Sequence, residues 1–322
     1  MPLPRRQTIC SLLLLGVLFS GTPALAESKD PSAWLERMRA AVDTSSYEGT
    51  VVRVRDGEAE ALKVVRTFDD GVIREKVVAQ EGDGLEIIRN GNEVHCILPD
   101  KKSVLVEKWN DQSTLFSTLP SSDLQFGSEY DVSLVREERV AGRKANLLAI
   151  RPHDGYRYGY RIWLDVETGF PLQTKLIDAD GVAIEQIKFA EVDFSEEIHA
   201  SALAPSHSTE NFRWLNQSSR HVTRSVETDW TSESLPQGFR VVSSHEEQVA
   251  NGEDYVVHIL YSDGLASVSV FIAARDGEDP EGVSSVGGSN AYSASVSGHH
   301  VTAVGKVPAM TVQQIATTMR VR

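Results

Sequence analysis

Between Ser46 and Val192 short runs of β-branched residues follow one another with few interruptions: GTVVRVR, ALKVVRTF, VIREKVVA, LEIIRN and EVHCIL. Turn signals separate them at Asp56-Gly57, Asp70-Gly71, Asp83-Gly84 and Asn90-Gly91. Short strands joined by such tight turns pair with their sequence neighbours, which predicts an antiparallel meander. The pattern resumes at VSLVREERV and ANLLAIRP and runs on through GYRYGYRIWLDVETGFPLQTKLIDADG, residues 155–181. By period two, Tyr156, Tyr158, Tyr160, Ile162 and Leu164 share one face of that stretch. Arg157, Gly159, Arg161, Trp163 and Asp165 take the other.

One segment breaks the alternation. DQSTLFSTLPSSDLQFGSEY clusters Leu115, Phe116, Leu119, Leu124 and Phe126, and reads as one or two short helices interrupting the meander. A further helix precedes the strands. In DPSAWLERMRAAV, Asp30 suits an N-cap and Pro31 a first helical residue, and Trp34, Leu35, Met38 and Val42 make one apolar stripe. The opening residues have a different use: Arg5 and Arg6, an apolar core from Ser11 to Gly21, and Ala24-Leu25-Ala26 read as a cleaved export signal over 1–26. That apolar core is too short to span a bilayer.

The other end carries a second β-rich unit. From His207 to Trp230 the chain is polar and without sustained alternation, which marks a boundary. Beyond it DYVVHILYS and LASVSVFIAA flank Asp263-Gly264, a hairpin signal, and AYSASVSG and HVTAVGKV flank Gly298. TVQQIATTMR closes the chain as a helix: Thr311 and Gln314 have capping-box spacing, and Val312, Ile315, Ala316 and Met319 form its apolar face. The expected fold is mostly β (α+β), with an N-terminal antiparallel sheet, covering helices, a smaller C-terminal antiparallel sheet and a terminal helix. The expected division is 1–26 signal, 27–205 first domain, 206–232 linker and 233–322 second domain.

Composition narrows the functional classes. The 322 residues carry 32 Lys and Arg against 46 Asp and Glu, and loss of Arg5 and Arg6 takes the formal charge from −14 to −16. Such a chain lacks the basic patch a nucleic-acid partner needs, and would attract a basic peptide. Removing Cys10 leaves Cys96 alone, so no internal disulfide forms. There is no Gly-x-Ser-x-Gly elbow, HExxH, Walker loop or dinucleotide fingerprint. DADG at 178–181 lacks the further acidic positions of a calcium loop. His299 and His300 are adjacent and point to opposite faces, while His245, His258 and the others are scattered singly and read as surface or structural histidines. The residues thus nominate no catalytic group, no metal site and no cofactor.

Several segments together are similar to the RseB/MucB family: DPSAWLERMRAAVDTSSYEGTVV, the 156–181 meander, LPQGF, ILYSDGLASVSVFI and GGSNAYSASVSGHHVTAVGKVPAMTVQQIA. The likeness covers nearly the whole mature chain, and the last block is its most specific part. It implies a non-enzymatic periplasmic regulator that binds the periplasmic domain of a transmembrane anti-sigma factor (RseA/MucA-like) and shields it from regulated proteolysis. It also implies that the first domain is a lipoprotein-carrier-like half-barrel, where lipid or lipopolysaccharide weakens that grip. Candidate lipid-lining residues are then Trp34, Leu35, Met38, Leu115, Phe116 and Leu119, which also suit an ordinary core. Partner-contact residues stay unassigned, and the apolar concavity permits a homodimer. The alternative implied by the first domain alone is a periplasmic lipoprotein or lipid carrier.

Overall fold

The computed structural model describes residues 30–108, 115–116, 119, 128–194, 197–216, 223–248, 255–274 and 281–321. The export signal and most of the segment expected to be helical around 111–127 lie outside these residues. Helix α1 (Pro31–Thr44) leads into β1 (Tyr47–Arg55), β2 (Glu58–Asp69), β3 (Val72–Ala79), β4 (Glu86–Asn90), β5 (Glu93–Leu98) and β6 (Ser103–Lys108). Then come β7 (Tyr130–Val140), β8 (Arg143–Pro152), β9 (Gly159–Asp165), β10 (Pro171–Ile177) and β11 (Ala183–Asp193). A 3-10 turn at Ala200–Leu203 precedes β12 (Arg213–Asn216), β13 (Thr223–Ser225) and β14 (Trp230–Ser232). The last part holds β15 (Arg240–Gln248), β16 (Tyr255–Ser262), β17 (Ser267–Ala274), β18 (Gly282–Val286), β19 (Ser289–Val296), β20 (His299–Gly305), α2 (Ala309–Thr317) and β21 (Met319–Val321).

The fold is mostly β, with a large first sheet and a smaller second sheet that carries the terminal helix. The first sheet has 12 strands in the order β12-β6-β5-β4-β3-β2-β1-β11-β10-β9-β8-β7. Two meanders, β1 to β6 and β7 to β11, are joined by the antiparallel β1–β11 pair. The turn chemistry explains the first of them. Asp56 and Gly57 have φ of 54° and 80°, and Asp70 and Gly71 have 48° and 79°. Both residues of a type I′ turn need positive φ, which Asp tolerates and Gly adopts freely.

The second sheet has 7 strands ordered β13-β15-β16-β17-β20-β19-β18. On one of its faces Ile259, Tyr261, Val268, Val270, Ile272, Val301 and Ala303 join Val312, Ile315, Ala316 and Met319 in a single buried cluster. The residues between the sheets are used by both. β12 pairs in parallel with β6, β13 pairs with β15, and β14 pairs with β21. Earlier in that segment the Ser206 amide and hydroxyl donate to Glu86, whose carboxylate also meets Lys76 at 2.9 Å. The chain therefore crosses from one sheet to the other between Asn216 and Thr223.

Three local expectations differ from the structure, each because a distant partner competes for the residue. Residues 156–158 are not strand, since β9 begins only at Gly159. The Asp263-Gly264 turn is a four-residue loop, with the Asp263 amide donating to the Ala266 carbonyl at 3.2 Å. The capping box is not formed: α2 has Pro308 at its N-cap, with no side-chain bond, and Thr311 is engaged elsewhere.

A Cβ at Gly49 would lie 2.5 Å from the Glu191 carbonyl oxygen, beside the shift in β1–β11 register at Thr50/Val51. Gly49→Ala should therefore strain the pair that joins the two meanders and cost about 1–3 kcal/mol. Urea unfolding followed by tryptophan fluorescence checks this; an unchanged midpoint contradicts it.

Candidate functional site

Two regions of the structure combine apolar area with placed polar groups. The first is the face of the large sheet covered by α1. Asp30 caps that helix by accepting from the Ser32 amide, and Trp34 and Met38 are 0% and 1% exposed. They pack with Leu148, Ile150, Tyr160, Ile162, Leu164 and Leu176. The helix is also tied to the β9–β10 turn. Arg37 lies 4.3 Å above the Trp34 ring and donates to the Val166 carbonyl at 3.0 Å.

The second half of that apolar region is aromatic. Tyr47, Phe170 and Phe189 form a cluster with ring centroids 4.8 to 5.7 Å apart. Phe116 sits edge-on to Phe170 at 5.6 Å, and both Leu115 and Phe116 are buried. Leu119 packs against both clusters, as does Val42, while half-buried Leu35 joins the first. The structure thus brings all six sequence candidates into two buried clusters that meet at Leu119 and Val42. Trp163 belongs to the same buried cluster as Phe116 and Phe170, donates from Nε1 to Glu138, and has Lys175 5.7 Å above its ring.

The other region is the junction of the two sheets. Arg157 and Asp263 are both buried, at 1% and 6% exposure, with Arg157 Nη1 3.1 Å from Asp263 Oδ2. Tyr130 Oη donates to the same oxygen at 2.8 Å. Asp263 Oδ1 accepts from the Leu265 and Ala266 amides, so the four-residue loop shapes itself around this carboxylate. Arg157 also donates to the Gln237 carbonyl at 2.6 Å and lies between the Tyr130 and Phe239 rings, 5.4 and 5.2 Å from their centroids. Burial, then the charge and hydrogen bond of Asp263, hold the Tyr130 phenol far above its ordinary pKa, so it remains a donor.

Five further contacts extend the junction. Thr311 donates its hydroxyl to the Tyr156 carbonyl at 2.6 Å, and Asn290 donates to Tyr158 Oη at 3.1 Å. Glu185 accepts from Lys306 at 2.6 Å and from the Gly288 amide at 2.9 Å. Asp56 accepts from the Gly287 amide at 2.9 Å. A Cβ on Gly288 would lie 2.6 Å from Leu176, so the β18–β19 turn fits against the first sheet only with glycine there. Sequence reading placed Asp56 and Asp263 as turn formers and Arg157 as a strand residue. Their pairing across 106 positions, in the case of Arg157 and Asp263, left no local signal.

A cleft of about 360 Å³ opens beside the junction, lined by Arg151, His153, Asp154, Arg161 and Asp178 with apolar Ile150 and Ile177. Cys96 is half-buried, and burial followed by the Glu107 charge pushes its thiol up to about 11, so it stays protonated at neutral pH. Among the described residues no helix is long and apolar enough to cross a membrane.

Residues 30–207 match the MucB/RseB N-terminal domain family, and residues 224–320 match the MucB/RseB C-terminal domain family. The sigma factor AlgU regulatory protein MucB of Pseudomonas aeruginosa is 31% identical over 320 residues, 98% of each chain. The sigma-E factor regulatory protein RseB of Escherichia coli K12 is 24% identical over 311 residues, 96% of each. Among solved structures, the Pseudomonas aeruginosa MucA/MucB complex superposes with a TM-score of 0.70 and 29% identity, covering 91% of this chain and 99% of that one. A crystal structure of MucB gives 0.60 at 28% identity, covering 92% and 99%.

The junction makes a pH-dependent prediction. Burial acts to raise the Glu185 pKa, but the Lys306 and Gly288 hydrogen bonds, with the Lys306 and Arg55 charges, bring it below the ordinary carboxylate value. A depressed folded-state pKa contributes stability above the unfolded pKa, and that stability is lost as pH falls through the folded value. Glu185→Gln should therefore cost about 1.5–3 kcal/mol at neutral pH. The deficit should shrink toward zero as pH falls below the carboxylate range. Melting curves of both proteins across pH test this; a deficit constant with pH contradicts it.

Proposed function

The chain belongs to the MucB/RseB family, and from that membership we propose that it is a non-enzymatic periplasmic regulator binding the periplasmic domain of a transmembrane anti-sigma factor. Bound, it shields that domain from regulated proteolysis. Lipid or lipopolysaccharide entering the first domain relieves the inhibition. The observation that carries the reading is coverage: likeness to MucB runs through both sheets and 98% of each chain, and a MucB relative has been solved in a MucA/MucB complex. A pure lipid carrier has no evident use for the second sheet and its helix.

The geometry suggests how lipid and partner would compete. A lipid releases the partner only if it binds the partner-free form better; equal binding to both forms shifts nothing. On this reading an acyl chain enters the apolar region under α1 beside Leu119, which packs against both buried clusters: one holds Phe116, and the other holds Leu148, Ile150, Tyr160 and, at the junction, Tyr130. The chain also superposes better on the MucA/MucB complex (0.70) than on a crystal structure of MucB (0.60). On this reading the closed junction is the partner-binding arrangement, and lipid favours an open one. The acidic surface, with its formal charge of −14 for the whole chain, steers a basic partner segment toward it.

The test is titration of residues 27–322 with its own organism's anti-sigma periplasmic domain, with and without anionic lipid micelles. The reading expects submicromolar binding that weakens at least tenfold with lipid. Binding indifferent to lipid overturns the sensor role, and lipid retained without partner binding supports the carrier instead. Leu119→Ala removes apolar contact where the two clusters meet and should weaken the lipid effect about tenfold. An undiminished lipid effect in that variant removes the proposed lining.

A further inference from the structure

Of the 4 methionines in the sequence, Met1 lies in the expected export signal, and the others are Met38, Met310 and Met319. Two of these three are sealed from solvent. Met38 is 1% exposed among the side chains under α1, and Met319 is 0% exposed, with Tyr261 Oη donating to its sulfur at 3.7 Å. Met310 is 49% exposed. It is the second residue of α2, next to Thr311, whose hydroxyl donates to the Tyr156 carbonyl of the first sheet's domain at 2.6 Å.

The sulfur of Met310 has a defined place at the junction. A Cβ on Gly155 would lie 3.7 Å from Met310 Sδ, so the thioether lies over the bare backbone of that glycine. Gly155 belongs to the loop between β8 and β9, which also carries Arg157. Within the loop the Tyr156 amide donates to Asp154 Oδ1 at 3.0 Å, and Arg157 Nε lies 3.3 Å from the same oxygen. Met310 therefore rests where α2 grips this loop, with one side on the loop and the other open to solvent.

We propose that Met310 is an oxidative modification site, where a two-electron oxidant of the peroxide or hypochlorous acid class loosens the grip of α2 on the 153–158 loop. A sulfur lone pair takes the terminal oxygen of hydrogen peroxide, the O–O bond breaks, and water leaves. The thioether is thereby oxidised to the sulfoxide as the peroxide is reduced. Hypochlorous acid gives the same product with release of chloride and a proton. Oxidation follows exposure, so Met310 reacts while Met38 and Met319 are protected. The product is polar and chiral where the thioether was apolar. An oxygen turned toward Gly155 enters space that the sulfur already meets at contact distance. An oxygen turned outward draws the side chain off the loop into water. Both outcomes uncover the backbone beside the Thr311–Tyr156 hydrogen bond. The site stands whatever ligand the first domain takes.

The test treats residues 27–322, carrying Cys96→Ser, with limiting hydrogen peroxide and follows each methionine by peptide mass spectrometry. Met310 should gain one oxygen at least about tenfold faster than Met38 or Met319. Amide hydrogen exchange reads the consequence: segments 153–158 and 309–312 should exchange about threefold faster in the oxidised protein. Treatment with the two epimer-specific methionine sulfoxide reductases should restore the original rates. Met310→Leu keeps the apolar bulk without the sulfur, and peroxide should leave its exchange unchanged. Oxidation of Met38 or Met319 as fast as Met310, full conversion of Met310 with unchanged exchange, or faster exchange in treated Met310→Leu overturns the proposal.

Discussion

Burying an arginine and an aspartate removes two charges from water, a cost that only close pairing and full hydrogen bonding offset. Arg157 and Asp263 pair closely and draw their hydrogen bonds from both sheets: Tyr130 from β7, the Gln237 carbonyl before β15, and the β16–β17 loop amides. Much of the junction follows from it. The loop after β16 must be long enough to fold its amides around Asp263. Gly238, at φ 82°, takes a backbone conformation that strains any L side chain, and a Cβ there would also press on the Glu129 carboxylate at 2.9 Å. The β18–β19 turn then approaches the first sheet closely enough for the Gly287 and Gly288 amides to reach Asp56 and Glu185. Separating the sheets would expose these charges and strand their partners.

The apolar face under α1 reaches the same junction. Trp34, Met38 and Leu119 pack in one cluster with Tyr160 and with Tyr130, whose hydroxyl donates to Asp263. Packed interiors rearrange in steps. On the proposed reading, a lipid entering beside these side chains would therefore be felt at the junction without a separate relay.

The meander was legible because its determinants are local. Alternating β-branched runs specify strands, and the Asp-Gly pairs specify turns whose positive φ few other residues adopt. Helix α1 was legible for the same reason, through Asp30, Pro31 and the stripe from Trp34 to Val42. The misreadings occurred where a residue serves a distant partner. Thr311 has capping-box spacing with Gln314 but gives its hydroxyl to Tyr156, 155 positions away. Asp263 looks like half of a two-residue turn and is the anion of the junction. Arg157 looks like the outer face of a strand and is buried beneath the second sheet. His245 and His258 appear solitary until β15 pairs with β16. The six candidate lipid residues were found from the family resemblance and helical spacing, and the structure adds that they fall in two clusters that meet at Leu119 and Val42.

The account's central claim is that lipid opens the junction that partner binding keeps closed. The most direct measurement is the distance between spin labels on exposed positions of the two sheets, Lys101→Cys and Val242→Cys, in a Cys96→Ser background, by double electron–electron resonance. The account predicts one narrow distribution for the partner-bound protein and a shift to a second, distinct distance when anionic lipid is added. Lipid that releases the partner while the distribution stays unchanged would contradict it.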